Sequence, residues 1–156
     1  MIPRFVLLLA MIVLAAGCLA QETSVPTIDV FFKNQPPSLR VLERVLPLVM
    51  EHAADYAVRL HCITSPESEQ LIESYGLPGT HFPFAVVVDG RFSALLGGRQ
   101  VDFVHFPAFM HGIGRHEGNW SLDDLRQMLA GAGQWRQENV LPTLTEPRSE
   151  SNCEDE

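Results

Sequence analysis

Cysteine is scarce in this chain, and basic charge is outweighed by acid; both shortages narrow what it does. Three cysteines stand at positions 18, 62 and 153, too few and too scattered for a disulfide framework. No Cys-x-x-Cys pair occurs. Lys and Arg number 11 against 19 Asp and Glu, a formal charge of −8, so a nucleic-acid partner is not expected. Internal repeats and low-complexity blocks are lacking too. With 156 residues the chain suffices for one domain with a real core and falls short of two.

The long apolar run is at the start. "MIPRFVLLLAMIVLAAGC" carries Arg4 beside the amino terminus, an apolar stretch from Phe5, and small Ala15, Ala16 and Gly17 before Cys18. That is the anatomy of an export signal over 1–17, too short for a comfortable membrane span. Its ending resembles a bacterial lipoprotein signal, in which Cys18 becomes the lipidated first residue; ordinary secretion with cleavage after Ala20 is the alternative. Leu19, where some inner-membrane lipoproteins carry Asp, points by the same resemblance to the outer membrane. Residues 18–26 then form a tether, and 136–156, acidic from Glu146 on, a disordered tail. Export places Cys62 and Cys153 where a disulfide persists, but pairing them requires the tail to fold back.

Between tether and tail, "TIDVFF" predicts a first strand, with "KNQPPS" as its breaker. Leu39, Leu42, Val45, Leu46, Val49 and Ala53 recur at helical spacing and predict an amphipathic helix from Leu39 to about Tyr56, kinked at Pro47. "YAVRLHCIT" alternates as a strand, and "SPESEQLIESYG" opens a short helix with Ser65 as N-cap and Pro66 first, stopping at Gly76. "FAVVVDG" and "RFSALLGG" predict a hairpin across Asp89-Gly90. "SLDDLRQMLAGAG" predicts a last helix with a capping box at Ser121 and Asp124 and a stop at Gly131. The first strand-helix-strand unit implies a parallel pair and the hairpin an antiparallel one, so the sheet is expected to be mixed, with helices on both faces.

This order, with Pro83 opening the strand in "YGLPGTHFPFAVVVDG" and Pro47 inside the first helix, resembles the thioredoxin-like superfamily over Thr27 to Gly98 and Ser121 to Ala132. The resemblance implies an α/β three-layer sandwich over 27–135, a cis-proline at Pro83 facing the site, and an insertion at 99–120. It also exposes an absence. Counting back from Pro47 puts the two redox cysteine positions at Leu39 and Leu42, and counting from the strand end, "FFKNQPPS", also finds no cysteine. Disulfide exchange needs an attacking thiolate and a resolving partner, so the chain departs from the family where the chemistry sits.

What remains points to binding. His81, Phe82 and Pro83 at the proline loop, with Phe106, Phe109, Arg115 and Trp120 of the insertion, are the expected groove for a protein partner or an extended peptide; Arg99 suits the same surface. No cofactor is required. The competing reading is a zinc or copper site built from His105, His111 and His116 with His81 near, although these spacings match no compact metal signature. Cys62 reads as a buried structural thiol, because neighbouring His61 points to the opposite strand face. The expectation is a non-redox binding or assembly module, exported and lipid-anchored through Cys18 at a bacterial membrane surface. A metal handler or an atypical thiol-disulfide oxidoreductase relative are the alternatives.

Overall fold

In this computed structural model the described residues are 25–108 and 116–142. β1 (Thr27–Phe32) begins at the predicted strand, and α1 (Pro36–Met50), β2 (Ala57–Cys62), α2 (Pro66–Ser74) and β3 (Phe84–Val88) follow. β4 (Ser93–Leu96), β5 (Arg99–Asp102), α3 (Leu122–Leu129) and β6 (Gln134–Trp135) complete the chain. The first sheet has the order β2-β1-β3, with β1 parallel to β2 and antiparallel to β3. It is the mixed α/β arrangement expected from the strand-helix-strand start.

Alternation along β1 and β3 divides the core. Ile28, Val30, Phe84, Val86 and Val88 point to one face, where Val41, Val45 and Val49 of α1 and Leu125 and Met128 of α3 cover them together with Trp120. Phe31, Ala85 and Val87 point to the other, under Ile72 of α2. Helices therefore lie on both faces, and each large side chain sealed there contributes about 1.5–3 kcal/mol.

Helix α1 starts earlier than its apolar spacing suggests. Pro36 and Pro37 occupy its first turn, where no N–H is needed, so "KNQPPS" ends β1 at Phe32 as expected and also launches the helix. The buried stripe is Ser38, Val41, Val45, Leu48 and Val49, while Leu39, Leu42 and Leu46 flank it half-buried. Pro47 does lie inside the helix, on its exposed side. There the carbonyl it leaves without a partner reaches water.

Two further expectations are corrected. Asp89 and Gly90 do form a tight turn, with φ of 49° and 78° and reciprocal bonds between Val88 and Arg91. The strand after it, however, leaves β3 at once. An uninterrupted hairpin would put Ala94 opposite Ala85; Val104 is there instead. Residues 93–102 form an excursion in which β4 pairs with β5 across Gly97-Gly98 and with β6 on its other side. The chain then returns, and Phe103 O and His105 N bond Val86 N and Phe84 O. Second, the peptide bond before Pro83 is trans, since no cis bond occurs among the described residues.

The ordered body also extends past Trp135. Asn139 accepts a bond from Phe92 N and donates to the carbonyls of Tyr75 and Gly90, and Val140 exchanges two bonds with Ser93. The start of the expected tail thus straps the Asp89-Gly90 turn. Among the described residues no helix is long and apolar enough to cross a membrane.

Candidate functional site

The carboxyl ends of the parallel pair β1 and β2 open onto the loops that precede α1 and α2, the place where open α/β sheets hold ligands. Ser38, in the first turn of α1, is buried here. Its Oγ accepts from Lys33 N at 2.9 Å and donates to the Pro83 carbonyl at 2.9 Å. One hydroxyl therefore ties the end of β1, the start of α1 and the entry to β3. Neither Leu39 nor Leu42 occupies this junction; Leu42 packs against the core.

Beside it lies a cleft of about 680 Å³ between α2 and the loop that runs into Pro83. Ile63, Ile72 and Leu77, all buried, make its floor. Glu69 and Glu73 of α2 stand on one wall, Thr80 and His81 on the other, and Thr64, Ser65 and Pro66 close the end nearest β2. The volume suits a drug-sized ligand or a few side chains of a peptide. The floor is preformed because it is the second core.

Cys62 ends β2 at the same edge. It is half-buried and unpaired, not sealed in the core, because β2 is the outermost strand of its sheet. Its Sγ lies 3.3 Å from Thr64 Oγ1. That hydroxyl, followed by the backbone N–H groups of Thr64, Asn34 and Ser65, outweighs desolvation and lowers the thiol pKa from its ordinary value. Cys153 lies outside the described residues.

The expected groove of aromatic residues is not a surface. Phe82, Phe106 and Trp120 are core, with Trp120 5.4 Å from Phe103 and its Nε1 donating to Val104 O. Pro83 is buried, and β3 carries a partner along each edge over Phe84–Val86, so no extended segment adds to it there. Among its described members His81 is exposed. Arg99 is committed to Asn119 O and Asp124. Phe109, His111, Arg115 and Cys18 lie outside the described residues.

His105 and His116 do come together, rings nearly parallel at 6.2 Å. Both have left-handed backbone, φ 69° and 65°, which the pairing of Phe106 with Glu117 and the bond from Phe106 N to His116 O hold in place. His105 is buried, its Nδ1 has no hydrogen-bond partner, and desolvation with the neighbouring His116 lowers its pKa to about 4. It is therefore a neutral imidazole near pH 7. His81 lines the α2 cleft instead, and among the described residues no group of three or more His, Cys, Asp or Glu is arranged to hold a metal ion.

No family model, curated protein or solved structure matches this chain. Its chemistry is accordingly read from its own side chains.

The strand alternation hid one cluster altogether. Asp29 of β1 is fully buried, yet it accepts two bonds from Arg59 at 2.7 Å, one from Tyr75 at 2.8 Å and one from Thr27 at 3.1 Å, and sits 2.7 Å from His61 Nε2. Burial alone would raise its pKa, but the bonds from Arg59, His61 and Tyr75 and the Arg59 charge prevail and lower it. Burial, with the bond to Asp29, raises Tyr75 to about 12. The signal was an acid in the middle of "TIDVFF" and a paired Arg59 and His61 on the adjoining strand. The parallel register, Asp29 beside Arg59, is what joins them.

Proposed function

We propose that this chain is a thioredoxin-like binding or assembly module without a redox dithiol, exported and held at a bacterial membrane surface through Cys18. The cleft between α2 and the 77–81 loop carries this reading: it is concave, floored by core, and placed at the strand ends where sheets of this kind take ligands. The sheet order, the helix faces and the meeting of Ser38 with Pro83 support the thioredoxin-like assignment. The groove is thus moved from the insertion to α2. No nucleic acid is expected to bind. Filling the cleft mouth with Thr80→Trp should abolish ligand capture while the thermal unfolding transition stays where it was; unchanged capture would sink the reading. Cys18→Ala in the full chain should release it from the membrane fraction, and retention there would remove the anchor.

The half-buried, activated Cys62 favours a second reading, an atypical relative of the thiol-disulfide oxidoreductases. Its thiolate would attack a partner disulfide, forming a mixed disulfide and expelling the other sulfur as a thiolate. With no resolving thiol among the described residues, that adduct would persist. Incubation with oxidised glutathione followed by intact mass measurement decides: a stable glutathione adduct lost in Cys62→Ser supports it, and an unmodified thiol refutes it.

A further inference from the structure

The walls of the α2 cleft are charged in a way the fold itself does not use. Glu69 and Glu73 stand one turn apart on the same helix and both face the cleft, a like-charge spacing that disfavours a helix by a few tenths of a kcal/mol. Glu69 lies in the first turn, where the helix dipole welcomes it; Glu73 lies in the last turn, where the dipole opposes it, and no basic residue stands in that turn. Among the described residues the ion pairs join Asp29, Asp123 and Asp124 to cations, and none reaches Glu69 or Glu73. Among the described residues no Lys or Arg lines the cleft. Between and below the two carboxylates the floor is aliphatic: Ile63, Ile72 and Leu77. Ser65, at the end nearest β2, does not cap its own helix with its side chain.

We propose that the cleft docks a segment of a partner protein in which a lysine or arginine stands next to an aliphatic side chain. The aliphatic group enters against Ile63, Ile72 and Leu77, and the cation bridges Glu69 and Glu73, relieving their mutual repulsion and the mismatch of Glu73 with the helix end. The hydroxyls of Thr64, Ser65 and Thr80 are placed to meet the backbone of the segment. Cationic peptides approaching a chain of net charge −8 are also steered toward it. This identifies the ligand class of the cleft and rests on the binding-module reading.

The test is fluorescence anisotropy of the full chain with three labelled octapeptides: alternating leucine and lysine, alternating leucine and glutamate, and alternating serine and lysine. The leucine-lysine peptide should bind saturably and the other two at least about tenfold more weakly. Glu69→Gln with Glu73→Gln should cost that same factor of about ten, while Glu43→Gln on the exposed side of α1 with Glu51→Gln just after its end should cost nothing. If the leucine-glutamate peptide binds as well, or the α2 pair of substitutions changes nothing, the cation is wrong. If the serine-lysine peptide binds as well, the apolar floor is wrong. In those cases blockage of the binding by Thr80→Trp would still leave the cleft as a binding site. No saturable binding of any peptide overturns both this inference and the reading beneath it. Self-association of the chain that the Gln pair abolishes would assign the cleft to a second copy and overturn the partner segment.

Discussion

Asp29 shows how far one side chain reaches. It is sealed from water, and four side chains from β1, β2 and the end of α2 converge on it. Asp29→Asn keeps the shape but offers N–H groups to partners that themselves donate. Because Arg59 is half-exposed and regains water when released, the cost should be on the order of 2–3 kcal/mol, below that for a wholly buried pair; urea unfolding near pH 7 measures it. The folded-state pKa of Asp29 is lowered, so its contribution is present above the unfolded value of 3.8 and lost as pH falls below it. The gap between wild type and Asp29→Asn should therefore narrow in acid. At Cys62 the matching prediction is kinetic. Its alkylation by iodoacetamide should reach half its maximal rate at a pH below that of an ordinary thiol, and Thr64→Val should move the midpoint up. A midpoint unaffected by Thr64→Val would show that the hydroxyl does not stabilise the thiolate.

Helix α3 and the segments 103–108 and 116–120 beside it owe their placement to local devices. Ser121 caps α3 by accepting from Asp124 N, Asp124 accepts in return from Ser121 N, and the same carboxylate accepts from Arg99 of β5. Ser121→Ala should cost about 1 kcal/mol in the unfolding midpoint without changing the denaturant slope. Gly118 has a different reason to be glycine. A Cβ there would lie 2.5 Å from the Val104 carbonyl oxygen and 3.0 Å from the Trp120 ring, so Gly118→Ala should destabilise by about 1–3 kcal/mol through displaced backbone, and a neutral result would mean these segments are loose. The capping box and the stop at Gly131 were legible from "SLDDLRQMLAGAG", because both are set by neighbours in sequence. The excursion 93–102 was not legible: "RFSALLGG" reads the same whether it pairs with β3 or with a later strand.

For the molecule as a whole, titration of buried His105 and half-buried Tyr75 bounds the range of greatest stability. His105 is held neutral down to about pH 4 in the fold but protonates near 6.5 when unfolded, so its contribution is complete above 6.5 and falls toward pH 4, by about 3 kcal/mol. His116 is the titratable group stacked on it. Tyr75 ionises near 12 folded and near 10 unfolded, so its contribution is complete below 10 and lost as pH rises toward 12. Thermal midpoints should show a plateau from about pH 6.5 to 10. His105→Asn, whose side chain accepts the left-handed backbone, should flatten the acid limb, and Tyr75→Phe the alkaline one. Limbs that persist in those variants would place the titrating groups elsewhere.

The sequence by itself determined the elements and the layers. The short apolar runs of "TIDVFF" and "FAVVV", Pro66 at a helix start, Asp89-Gly90 at a turn and the Ser121-capped last helix are decided within a few residues, and they suffice to require a mixed sheet covered on both faces. It likewise fixed the lack of a Cys-x-x-Cys pair. Tertiary structure alone decided which side chains meet. Phe82, Phe106 and Trp120 have the composition of a partner surface, and only packing shows that they fill the core instead. Asp29 finds Arg59 through a parallel register that no local signal encodes, and Ser38 finds Pro83 from 45 residues away. The cleft follows the same logic: Ile63, Ile72 and Leu77 belong to three separate segments, and their common floor exists only because α2 folds back over the face of β1 and β3.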